Sequence, residues 1–160
     1  MQFSRTLLAA MFVAMTAIST PAHACMSRAP IELTDVKHAE LVVVGRISDY
    51  GVVGDPERIW SYARFHVSID EVLVGNASET LTVTWDNSTY AEPASMPAGP
   101  FLIALRDPRS RQLPLRGPSA TILPNAEPDI LTVLQAPCSY PFMFPSTSDE
   151  AREIRGILQK

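Results

Sequence analysis

Between residues 39 and 106 the apolar side chains recur with a period of two, the spacing of strands rather than helices. Ala63, Phe65, Val67 and Ile69 alternate with Arg64, His66, Ser68 and Asp70, which predicts one long strand over 60–74 with a buried face and a wet face. The alternation slips at Asp70-Glu71 and resumes out of phase at Val72 and Val74, the mark of a β-bulge. Gly75-Asn76 supplies a turn. Leu81, Val83 and Trp85 then read as inward and Thr80, Thr82 and Thr84 as outward, so 79–85 is expected to pair back as a hairpin. Residues 39–48 have an unbroken apolar centre, Leu41 to Val44, and read as a strand buried on both faces. Phe101 to Arg106 reads as a further central strand, while 49–58 and 86–100 read as loops.

Downstream the pattern thins. Prolines at 108, 114, 118, 124 and 128 mark a long connection, with short strands expected at 120–123 and 130–134. Residues 147–158 are the one good helix. Thr147-Ser148-Asp149-Glu150 has a capping-box pattern, and Ile154, Ile157 and Leu158 form an apolar stripe. Short strands, a bulged long strand and one late helix predict a mainly β chain, a small closed barrel with a C-terminal α-helix. Closure removes the exposed edges of an open sheet. A β-sandwich is the competing architecture.

The first residues change the picture of where the chain works. Arg5, an apolar stretch from Leu7 to Ile18, helix-breaking Ser19-Thr20-Pro21 and Ala22-His23-Ala24 form a three-part export signal, so residues 1–24 are expected to be removed as a signal peptide. The apolar stretch is shorter than the roughly 20 residues a membrane span needs. Cleavage would make Cys25 the first residue of a single domain, 25–160, in the periplasm or outside the cell. A new N-terminal Cys also opens lipidation, although Ala22 and His23 are poor matches to that signal; a membrane association is expected only in that case. The mature part carries 12 basic and 17 acidic side chains, a net charge of −5, which excludes nucleic acid as a partner for want of a basic patch. Cys25 and Cys138 are the only cysteines. In an oxidising compartment they are expected to pair, closing a loop of about a hundred residues worth on the order of 4–5 kcal/mol; two buried free thiols are the alternative.

Several stretches taken in order resemble the netrin-like domain, the OB-type barrel of the tissue inhibitors of metalloproteinases and related secreted modules. They are Cys25; Ala39-Glu40-Leu41-Val42-Val43-Val44-Gly45-Arg46-Ile47; the long strand Phe65 to Gly75 closing on Val74-Gly75, where the family often has Lys-Gly; Gly99 to Leu105; and Cys138 with aromatics, Pro and an acid-rich turn before the helix ending at Leu158. The resemblance implies an OB-type barrel and a binding or inhibitory role. It also implies a specific chemistry at Cys25. In such inhibitors the free amine and carbonyl of the N-terminal Cys chelate a protease's catalytic zinc. The chain departs from the pattern at Ser27, where the inhibitors have a second Cys, and Met26-Ser27-Arg28 does not match their reactive edge. The alternative role for Cys25 is a staple alone.

Candidate chemistry elsewhere is sparse. His66 lies on the outward face of the long strand with Arg64, Ser68 and Asp70 nearby, a candidate metal ligand or acid–base group and otherwise a solvated side chain. Trp60, Tyr62, Arg64 and His66 make a candidate binding face, with Trp85 and Tyr90 close by if the hairpin forms; core packing is the other role for Trp85. Tyr140, Phe142 and Phe144 alternate and are expected to pack the last strand. Asp70-Glu71 cannot act as an acid–base pair, because strand neighbours face opposite ways. There is no Gly-x-Ser-x-Gly elbow, no His-Glu-x-x-His and no Gly-rich phosphate loop. Asn76-Ala77-Ser78 and Asn87-Ser88-Thr89 match glycosylation sequons. The expectation is a non-enzymatic binding module without a cofactor, its partner a protein or another extracytoplasmic ligand; a small enzyme using His66 is the competing class.

Overall fold

The computed structural model describes residues 28–54, 61–86, 92–110, 115 and 125–160. The export signal, Cys25, Trp60, Tyr90, the sequon at Asn87 and the strand expected over 120–123 lie outside the described residues. Among the described residues six strands, β1 (Leu41–Gly54), β2 (Ser61–Val74), β3 (Thr80–Trp85), β4 (Phe101–Arg106), β5 (Thr132–Val133) and β6 (Met143–Pro145), precede one α-helix, α1 (Asp149–Leu158). A 3₁₀ helix spans Leu33–His38. The strands run in the order β1-β2-β3-β5-β4, and β4 pairs back onto β1, which closes a five-stranded barrel. Among the described residues only the β3–β5 pairing is parallel. This is the connectivity of an OB-type barrel.

Two bulges bend β2 where the period slips. Val44 pairs with Glu71 and Gly45 with Ile69, which leaves Asp70 as the extra residue; Leu73 is extra in the same way between Val72 and Val74. At the point of closest approach Gly45 is required. A Cβ there would lie 2.5 Å from the Ser68 carbonyl oxygen.

Alternation along β1 and β4 feeds two cores. Leu41, Val43, Ile47, Phe101, Ile103 and Leu105 point into the barrel with Phe65, Val67, Val83 and Trp85. Val42, Val44, Leu102 and Ala104 point outward and are covered by Val36 of the 3₁₀ helix, by Phe142, and by Ala151 and Ile154 of α1. The apolar centre of residues 39–48 is therefore buried on both faces, as expected. Arg155 of α1 also forks onto Glu71 at the bulged end of β2, with Nη2 donating to Oε2 at 2.6 Å and Nη1 to Oε1 at 3.0 Å.

Four local expectations are corrected. Residues 49–54 are strand, not loop: a register shift between Ser48 and Gly51, with Asp49 at φ 50, lets β1 keep pairing with β2 as far as Gly54 opposite Ser61. The cap of α1 is Ser148, whose hydroxyl accepts from Ala151 N at 3.2 Å; the alanine has no side chain to return the bond, so no capping box forms. Thr84, expected to face outward, is fully buried, because Leu131 and Asn125 lie over it. Tyr140 does not pack the last strand; it is 49% exposed, while Phe142 is buried and Phe144 partly so.

Candidate functional site

The strand expected over 130–134 and the last strand are one broken edge along β4. β5 pairs with Leu105 and Arg106, and β6 with Phe101, Leu102 and Ile103. Between them the chain leaves the sheet for residues 135–141 and returns, closed at its base by Phe142 N donating to Leu134 O at 2.9 Å and by a Gln135–Pro141 bridge. Cys138 sits at the apex with φ 65. Gln135 stiffens the excursion: Nε2 donates to Ser139 O at 2.7 Å, and Oε1 accepts from the indole of Trp85 at 2.8 Å. The Ser139 hydroxyl reaches Ala136 O and Tyr140 O, both at 3.1 Å.

The start of the described chain is laid onto this excursion. Ala29 N donates to Cys138 O at 2.8 Å, and the Arg28 guanidinium lies 4.5 Å above the ring of Tyr140. Among the described residues there is no free thiol. The result is a ledge beside the break opposite Ala104 of β4, backed by a hydrogen-bonded loop and carrying an arginine stacked on an exposed tyrosine, both frequent anchors of binding energy at protein interfaces. The sequence pattern gives Arg28 no role beyond a mismatch to the inhibitors' reactive edge and gives Gln135 none. Their roles come from the fold around Cys138, and the only local signal was the aromatic two residues after that cysteine.

The face proposed on β2 is brought together only in part. Tyr62, Arg64 and His66 share the outer surface, as their two-residue spacing demands. Tyr62 is 9% exposed, and its hydroxyl donates to Glu127 Oε1 at 3.0 Å. Arg64 Nε lies 3.5 Å from the same carboxylate oxygen. Burial, with Glu127 beside it, pushes the Tyr62 hydroxyl above its ordinary pKa. Further along, His66 Nδ1 stands 3.1 Å from Asp49 Oδ2, an exposed pair. Trp85 lies inside the barrel, on the other side of the sheet from Tyr62.

A third polar group sits at the mouth near the end of β3. Glu92 is buried, and its Oε2 accepts from the Ser61 hydroxyl at 2.7 Å. Burial, then the charge of Glu92, raises the pKa of Asp86. Burial, with Glu92 again adding, pushes Tyr50 up to about 12, and its hydroxyl donates to Pro93 O at 2.8 Å. No group of three or more His, Cys, Asp or Glu among the described residues is arranged to hold a metal ion. No helix among the described residues is long and apolar enough to cross a membrane.

Compared with known proteins, the sequence matches no family model, and no curated protein matches it either.

Proposed function

We propose that the chain is an exported, non-enzymatic binding module of the netrin-like kind, which presents its mature N-terminus on the Cys138 ledge. The observation that carries this reading is the bond from Ala29 N to Cys138 O, because it brings the segment following Cys25 to the loop that holds Cys138. A Cys25–Cys138 bridge then ties the new amino terminus to a loop already held by Gln135 and Trp85. Pre-ordering a recognition segment in this way removes part of the entropy cost of association. The OB-type strand order supports the kinship. The export signal, at residues 1–24, supports the oxidising compartment that the bridge needs.

Within that reading the partner is a protein met outside the cytoplasm. The specific form is inhibition of a zinc protease by the Cys25 amine and carbonyl, an arrangement that needs the terminus held rigid and free. The test compares the mature protein with a variant carrying one extra residue before Cys25, against a panel of zinc proteases. Inhibition by the first and not by the second supports the inhibitor form. Inhibition by neither sinks it and leaves a binding module of another kind. The competing enzyme reading has one observation in its favour, the His66–Asp49 pair, in which Asp49 itself is in the left-handed region. An activity lost in His66→Ala and indifferent to the N-terminal extension would replace the proposal.

A further inference from the structure

Glu127 belongs to the segment that leads into β5, and it lies against the outer face of β2 and β3. The segment is a strap held largely by side chains. Glu127 accepts from Tyr62 and faces Arg64; Asn125 Nδ2 donates to Thr84 Oγ1 at 3.3 Å; and Asn125 Oδ1 accepts from Glu127 N at 2.8 Å, which shapes the turn. Ile130 N donates to Glu127 O at 3.1 Å, and Arg109 holds Asp129 at 2.9 Å from outside. Main-chain pairing to the sheet begins only at Leu131, whose carbonyl accepts from Thr84 N. A phenol and a guanidinium two residues apart on one strand thus converge on a single carboxylate, with a buried threonine alongside.

We infer that Glu127 is an intramolecular ligand, and that the β2–β3 face is a carboxylate-binding site kept closed by its own strap. Tyr62 and Arg64 are the reading pair: one donates a neutral hydrogen bond and the other supplies charge, a combination that favours an acidic group over a neutral one. The external occupant is an acidic peptide segment, because what fills the face in the folded chain is a peptide glutamate, Glu127, at the head of the turn Glu127-Pro128-Asp129-Ile130. This surface is distinct from the Cys138 ledge and stands whether or not that ledge binds a protease.

The experiment uses tyrosine nitration read residue by residue by mass spectrometry, with amide exchange measured in parallel, on the mature protein and on Glu127→Ala and Glu127→Gln. Tyr140 reports an open tyrosine, and Tyr50, half-buried against the core, is an internal control that does not touch the strap. In Glu127→Ala, nitration of Tyr62 should rise about tenfold, the scale of one lost charge-assisted hydrogen bond, with Tyr50 unchanged. The amides of residues 127 and 130 should exchange faster, while those of β1 and β4 stay protected. Glu127→Gln, which keeps an acceptor but not the charge, should fall between. Added acetate should restore protection of Tyr62 in Glu127→Ala and do nothing to the parent, whereas equimolar chloride should not. If Tyr62 stays unreactive in Glu127→Ala, or opens only together with Tyr50 and the barrel strands, there is no latch. If acetate gives no protection beyond that of chloride, the face does not read carboxylates.

Discussion

Trp85 and Gln135 are joined by a hydrogen bond that crosses from the barrel interior to the Cys138 loop. The indole Nε1 donates to the amide oxygen at 2.8 Å, while the amide nitrogen of the same side chain donates to Ser139 O at 2.7 Å. A core residue thereby sets the shape of the loop along which Ala29 lies. Replacing Gln135 by Ala leaves a buried indole N–H without its partner, at a cost of roughly 1–3 kcal/mol. The expected result is a lower denaturation midpoint and an altered Trp85 emission, together with faster exchange of the Ala29 amide. If that exchange is unchanged, the loop does not depend on the bond.

Gly45 is the position least tolerant of a side chain in β1. Gly45→Ala sets a methyl against the Ser68 carbonyl, which belongs to the paired strand and cannot rotate away. Such overpacking costs about 1–3 kcal/mol. Gly156, in α1, has open space around it, and Gly156→Ala is expected to stabilise by up to about 1 kcal/mol through helix propensity. Paired urea melts of the two variants check both signs.

The Glu71–Arg155 fork makes stability depend on acid. Its hydrogen bonds to Arg155 hold the Glu71 carboxyl below its ordinary value, with the arginine's charge adding to this. A depressed folded pKa means a contribution present above the unfolded pKa of about 4.3 and lost as pH falls through the folded value. Both side chains are about a third exposed or more, so the contribution stays below about 1 kcal/mol. Arg155→Met should lower stability at neutral pH by less than about 1 kcal/mol, leave it nearly unchanged below the folded pKa, and so flatten the acid limb of a urea-melt stability profile between the two.

Tyr50 governs the alkaline side. Burial, and then Glu92, push its hydroxyl up to about 12. The unfolded chain ionises its tyrosines near 10, so it releases this proton first, and stability should fall as pH rises from about 10 to about 12. Tyr50→Phe should remove that part of the loss. An absorbance titration of the folded protein should show the Tyr50 step missing in the variant.

Much of the barrel was legible because sheet burial writes a two-residue period into the chain. Residues 61–74 and 80–85 show it, down to the slip at Asp70, and the doubly apolar Leu41–Val44 announced a strand with cores on both sides. Periodicity reports which face is buried and not what buries it. The outward placing of Thr84 and of the Tyr62 face therefore gives no sign of the strap from residues 125–131, which meets them from more than forty positions away. The continuation of β1 through Asp49 to Gly54 was hidden for a related reason: a hairpin partner supplied backbone bonds that the local glycines and polar residues do not advertise.

The sequence by itself determined a mainly β chain with a late helix and two cysteines more than a hundred positions apart, since propensity, alternation and composition are local properties. Only the tertiary structure decided that the broken β4 edge extrudes a loop at Cys138, that Ala29 lies along it, and that Glu127 covers Tyr62 and Arg64. Each of these joins residues distant in sequence through a single polar contact. Such contacts leave no periodic trace, because one hydrogen bond constrains one pair of positions and nothing between them.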